Sequence, residues 1–173
     1  MAIKFVIFSD GAYNTTPEST LLAYGFVVFL KINNIKKIIY YDSQLVKISQ
    51  DPINYGSLIA ELTAIDKVLD YLIEKDIKHN AVTLCVDNYD AIFCDNEVVF
   101  RHILKTKNKT VINLVNTIKQ KKQLFLNITY KNIKRELNLA HAYAQIPVRQ
   151  YIKTHTQRAV FYDKDKKILK EVL

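Results

Sequence analysis

Apolar residues open the chain in short blocks with turn-forming residues between them. IKFVIFS (3–9), LAYGFVVFL (22–30) and KKIIYYDS (36–43) are rich in β-branched and aromatic residues, which predicts three successive strands in an antiparallel meander. Asp10-Gly11 is the expected end of the first strand and Asn33-Asn34 the turn between the second and third. The period then changes. A looser stretch, Gln50 to Ser57, contains Pro52, Asn54 and Gly56, and beyond it Leu58, Leu62, Ile65, Val68, Leu69 and Leu72 share one arc of a helical wheel. Asp66, Lys67, Asp70 and Glu74 lie opposite, so a helix is predicted over 58–75. Glu61 falls inside the apolar arc, where a carboxylate costs free energy unless something pairs with it.

AVTLCVDN (81–88) is a nearly continuous apolar run, the pattern of a strand covered on both faces, and it ends on Asp87. Residues 89–123 read as mainly helical and basic, LFLNITYKNI (124–133) as a last strand, and 138–145 as a short Ala-rich helix before Pro147. The order βββ-α-β-α-β-α describes an α/β fold. No repeat or linker interrupts it, so one domain is expected over 1–173, with a core of 3–145 and a C-terminal extension over 148–173.

Composition narrows the class. The 173 residues, 49% hydrophobic and 24% charged, are enough to bury a core without disulfides or a structural metal. No apolar run approaches the roughly 18 residues of a membrane span, and MAIKFVIFSDG alternates like a strand instead of reading as a signal peptide. A cytoplasmic monomer with no membrane partner is expected. Cys85 and Cys94 are too few for a disulfide framework and are expected to be reduced. The net charge is +8, and residues 98–135 hold ten Lys/Arg and no Asp or Glu. That concentration suits a polyanion, although a solvated lysine face would read the same way.

Candidate chemistry rests on three carboxylates. Asp10 and Asp87 are each expected at the end of an apolar strand, and Glu61 on the helix face that packs against the sheet, so the three are candidates for one edge. Acids forced together repel unless cations lie between them, and hard oxygen ligands suit Mg²⁺ or Mn²⁺. Two such ions can activate water and stabilise a leaving oxygen in phosphodiester hydrolysis.

At these residues the sequence resembles the type 1 ribonuclease H family. FSDGAYN is similar to the family's Asp-Gly first-strand motif, AELTAI (60–65) to its Ala-Glu-x-x-Ala helix motif, CVDNYDAI to its fourth-strand Asp, and NLAHAYA (138–144) to its last-helix motif. Gly25 also matches a family glycine. The resemblance spans about residues 3–145 and implies a ribonuclease H-like fold with a five-stranded mixed sheet flanked by helices. It implies Asp10, Glu61 and Asp87 as catalytic ligands of two Mg²⁺ or Mn²⁺ ions, an RNA/DNA hybrid as partner, and hydrolysis of its RNA strand.

The fourth acidic position is occupied by His141, a neutral ligand that suits Mn²⁺ better than Mg²⁺. The loop histidine found in many members before the last helix is absent from YKNIKREL (130–137). There is no Trp, but eleven Tyr and eight Phe can stack on bases. By position, Arg101, Lys105, Lys107, Lys109, Lys119, Lys121 and Lys122 match the family's basic protrusion, Asn54 and Ser57 its phosphate pocket, and the main chain of Gly11, Ala12 and Tyr13 its contacts to 2′-hydroxyls. Two other readings fit the same residues: a ribonuclease H-like binding or interaction module with weak or no activity, and a nuclease of this fold acting on another substrate such as branched DNA.

Overall fold

The computed structural model describes residues 3–33, 35–155, 159–163 and 168–172. Strands β1 (Ile3–Thr15), β2 (Thr20–Ile32) and β3 (Ile35–Ser49) form the expected meander. Helix α1 (Gly56–Glu74) leads to β4 (Ala81–Val86), and the basic segment forms α2 (Tyr89–Ile92), α3 (Glu97–Leu104) and α4 (Lys109–Lys122). Strand β5 (Ile128–Asn132) and helix α5 (His141–His155) follow, and β6 (Ala159–Asp163) pairs antiparallel with β7 (Ile168–Val172) in a separate two-stranded sheet. The main sheet has the order β3-β2-β1-β4-β5, with β4 parallel to both β1 and β5. This is the mixed five-stranded α/β sheet expected above.

The two sheet faces are covered by different helices. Helix α1 buries Leu62, Ile65, Val68, Leu69 and Leu72 against Phe5, Ile7, Phe26 and Val28, and α4 packs on it with Val111, Val115 and Ile118. Each such side chain contributes about 1.5–3 kcal/mol relative to exposure. Helix α5 lies on the opposite face, where Ala144, Val148 and Ile152 meet Ala12, Leu21 and Ala23. β2, between them, is buried along most of its length, and β3 is an exposed edge.

β3 runs on to Ser49 instead of ending at Ser43, as its pairing with β2 continues to Thr20, and three further boundaries differ from expectation. β1 does not end at Asp10-Gly11 but runs on to Thr15, because its pairing with β2 continues to the Thr15–Thr20 pair, and the turn falls at 16–19. β5 starts only at Ile128, and Leu126 before it is exposed. α5 starts at His141 and runs through Pro147 to His155. Proline removes one intrahelical hydrogen bond, but burial of Val148 and Ile152 on both sides of the following turn holds the helix together. Of the predicted turn, Asn33 adopts a left-handed conformation (φ 53°), and Asn34 lies outside the described residues.

Candidate metal centre

The parallel ladder between β1 and β4 stops at the pair Phe8–Cys85. Asp10 and Asp87 each stand two residues past that pair, so strand alternation brings them side by side where the strands part. Asp10 is therefore inside a strand, held by its pairing with Gly25 of β2, and Asp87 follows the last residue of β4. Asn88 next to it is the N-cap of α2, its Oδ1 accepting from the Ala91 N–H at 2.9 Å, which fixes the backbone beyond Asp87.

Two glycines let the helices close in from opposite faces. A Cβ on Gly11 would stand 2.2 Å from the Ala60 carbonyl carbon and 2.3 Å from the Glu61 nitrogen, so its bare backbone is what allows α1 to deliver Glu61. A Cβ on Gly25 would stand 2.3 Å from the Ala144 nitrogen, and the same close approach seats the start of α5 over Asp10. The result is a cluster in which Asp10, Glu61 and Asp87 offer carboxylate oxygens all within 4.8 Å of one another.

Its electrostatics are those of anions short of a counter-charge. Burial, with Asp10 and Asp87 adding repulsion, pushes the Glu61 carboxyl up to about 10, and only the Gly11 backbone N–H works the other way. Burial also raises Asp10, opposed by its hydrogen bond to His141. Glu61 Oε2 is buried with no hydrogen-bond partner. An orphaned carboxylate oxygen facing two further acids suits a hard divalent cation, so the donor set fits such an ion.

His141 joins the site through Asp10. Its Nδ1 lies 2.7 Å from Asp10 Oδ2, and because a carboxylate accepts, the ring proton belongs on Nδ1. Nε2 is then an acceptor for Arg135 Nη2 at 3.4 Å. Asn138 entered the sequence reading only as the first residue of the last-helix motif, with no role at the site. Its buried amide donates to the Ser9 carbonyl at 2.9 Å and to Asp87 Oδ1 at 3.2 Å, while its oxygen accepts from the Ala140 N–H at 3.1 Å. One side chain thus ties β1, the end of β4 and the entry to α5. Its position just before a helix marks it as a turn residue, but nothing local points to its reach across the sheet.

The remaining candidates separate. Gly11, Ala12 and Tyr13 pair with β2 on one side only, since the β4 ladder has already ended, and the Gly11 N–H serves Glu61. Asn54 and Ser57 line a groove of about 670 Å³ with Tyr13, Asn88, His102 and Thr106 at the start of α1. That helix is preceded by Tyr55, left-handed at φ 61°, and has no side-chain cap; its first amide, Gly56 N–H, donates to the Ile53 carbonyl at 3.0 Å, and Gly56, Ser57 and Leu58 line the groove. Arg101, Lys105, Lys107 and Lys109 are exposed around the α3–α4 turn, and Lys119 sits over the Phe100 ring, 4.3 Å from its centroid. Lys121 and Lys122 depart from the expected basic surface. Lys121 bridges Asp66 and Asp70 of α1 at 2.6 and 2.5 Å. Lys122 is buried, donating to the Ile92 carbonyl at 3.0 Å and pairing at 2.6 Å with Asp95, which is itself exposed, so its charge is taken up within the fold. Cys85 and Cys94 are free and buried.

No protein-family profile and no curated protein matches this sequence. Solved structures do match. LC11-RNase H1 in complex with an RNA/DNA hybrid aligns over 86% of this chain and 99% of its own, with a TM-score of 0.63 at 16% identity. The fold is that of ribonuclease H. The N-terminal RNase H domain of a Mycobacterium tuberculosis protein (88% and 99% covered, TM-score 0.62, 16% identity) and RNase H1 of Halobacterium salinarum (85% and 98%, 0.60, 14%) share it. The ribonuclease H fold therefore accounts for both the sheet order and the cleft where β1 and β4 part.

Proposed function

We propose that this chain is a metal-dependent endonuclease that hydrolyses the RNA strand of RNA/DNA hybrids. The observation that carries the reading is the orphaned Glu61 oxygen inside a cluster of three carboxylates drawn from β1, α1 and the end of β4. Asp10, Glu61 and Asp87 would hold two Mg²⁺ or Mn²⁺ ions, which when bound supply activation of water and stabilisation of the leaving oxygen. His141 keeps Asp10 oriented through Nδ1; were a ring nitrogen to turn onto the metal, that nitrogen ligand would favour Mn²⁺ over Mg²⁺. Asn138 holds one oxygen of Asp87 and leaves the other to face the cluster. The stretch Gly11 to Tyr13, which no longer pairs with β4, supports main-chain contacts to 2′-hydroxyls, and the groove at Asn54 and Ser57 supports contacts to phosphate. Arg101, Lys105, Lys107 and Lys109 supply the cationic surface beyond it.

One observation favours a second reading, a binding module without cleavage: an imidazole stands where a fourth carboxylate would complete the ligand set. Incubating labelled hybrid with the protein in Mg²⁺ and in Mn²⁺, beside an Asp87→Asn variant, separates the two. The nuclease reading expects metal-dependent cleavage that falls by at least a hundredfold in the variant, with hybrid binding kept or tightened. Absence of cleavage by folded protein in both metals would sink it. Parallel incubation with duplex RNA, duplex DNA and a branched DNA junction assigns the substrate.

A further inference from the structure

A row of lysines crosses the sheet toward the N-terminal end of β1, away from the acids. Lys4 of β1 is paired in register with Lys31 of β2, and Lys31 with Lys36 of β3, so three cations stand on neighbouring strands on one face. Like charges placed directly opposite one another destabilise a sheet. None of the three, nor Lys131 of β5, takes part in an ion pair among the described residues, and all four are exposed. No Asp or Glu occurs in β2, β4, β5 or the first seven residues of β1.

The side is given by Lys36, whose Nζ lies 4.0 Å from the Phe29 ring centroid and 4.8 Å from that of Phe8. Phe8 is two residues before Asp10 on β1 and is paired with Cys85, two residues before Asp87. Strand alternation therefore puts the lysines, Phe8, Asp10 and Asp87 on the same face. The fields of Lys131, Lys36 and Lys4 converge on the Cys85 thiol, where they oppose the effect of its burial. α5 packs over Ala12, Leu21 and Ala23, at the opposite end of these strands, and leaves the lysine end open.

We propose that Lys4, Lys31, Lys36 and Lys131, with the Phe8–Phe29 pair between them, form a second nucleic-acid surface that holds the phosphate backbone of a substrate extending beyond the acids. Lys4 stands six positions before Asp10 on β1, about 20 Å at strand rise, which is roughly six nucleotide steps. The proposal rests on the nuclease reading for the nature of the ligand but not for its test.

The test uses binding without cleavage. Anisotropy of labelled hybrids in EDTA, titrated with salt, is compared for the natural protein and a K4Q/K31Q variant, which leaves Lys36 beside Phe8 in place, on duplexes of 24 and 8 base pairs. The shorter one, centred on the acids, extends only about 14 Å either way. The variant is expected to bind the long hybrid about tenfold more weakly, with its salt slope reduced by about 2, and to bind the short hybrid unchanged. Its melting temperature should hold or rise as the repulsion is relieved. Lys31→Gln alone, the least disruptive change, should lower the slope by about 1. Unchanged slope and affinity on the long hybrid would overturn the proposal, as would equal losses on both lengths. A chain that cleaves nothing yet shows the length-dependent loss would refute the nuclease reading and leave this surface standing.

Discussion

Glu61 concentrates the conflict between stability and chemistry. The same wheel position that marked it as an anomaly in the sequence places it 8% exposed between two other acids, with one oxygen lacking any partner. Its carboxyl titrates far above the ordinary range, so the native chain binds a proton there that the unfolded chain has released. Without metal, stability should therefore fall as pH rises from the ordinary carboxylate range toward about 10, the value to which burial pushes this group. Glu61→Gln removes that dependence. In EDTA at pH 8 the variant should melt about 5 °C above the natural protein, with the gap closing by pH 5, while cleavage is lost. Calorimetry across pH reads this directly, and a lower melting temperature at pH 8 would contradict it. The three acids were legible from sequence because each breaks a local pattern: two follow apolar strands and one interrupts an apolar helix face. Asn138 breaks none, since an Asn ahead of a helix is ordinary, and its bonds reach residues 51 and 129 positions away.

At the level of elements, periodicity was sufficient for β1 to β4 and α1 but misjudged four ends. Asp10-Gly11 has turn chemistry, yet Gly11 serves as clearance for α1 and the strand continues. Pro147 has breaker chemistry, yet the buried residues that follow it keep α5 helical. Gly25 is the corresponding clearance on the other face, and its replacement is an element-scale experiment. Gly25→Ala puts a Cβ against the α5 backbone, so the helix must move away from Asp10. A loss of about 1–3 kcal/mol is expected, seen as a fall of several degrees in melting temperature. Activity should fall further than stability alone explains, because His141 and Asn138 travel with the helix. Full activity at 25 °C in this variant would mean that the seating of α5 is not needed.

For the molecule as a whole, charge and metal act together. The net charge of +8 is divided between uses that composition cannot tell apart. Lys121 and Lys122 tie α4 to α1 and to the Asp95 loop, Arg101 to Lys109 line the α3–α4 turn, and Lys4, Lys31, Lys36 and Lys131 lie on the open sheet. No helix among the described residues is long and apolar enough to cross a membrane. A cation that binds the folded acids and not the unfolded chain should stabilise the whole domain. Mn²⁺ at a hundred times its dissociation constant should add about 2.7 kcal/mol and raise the melting temperature by several degrees, an effect that Asp87→Asn should largely remove. A melting curve indifferent to Mn²⁺ would count against the metal centre.

The order of the five main-sheet strands and the place of the first and last helices, with the choice of the three acids, were read from the sequence alone, because apolar period and misplaced charge are local properties of the chain. The β6–β7 pair and the division of the basic segment into three helices were not. The convergence of the acids, the bond from His141 to Asp10, and the division of lysines between core and surface were decided only by tertiary structure. Each depends on how closely two elements distant in sequence can approach, and here that distance is set by a missing Cβ at Gly11 and another at Gly25.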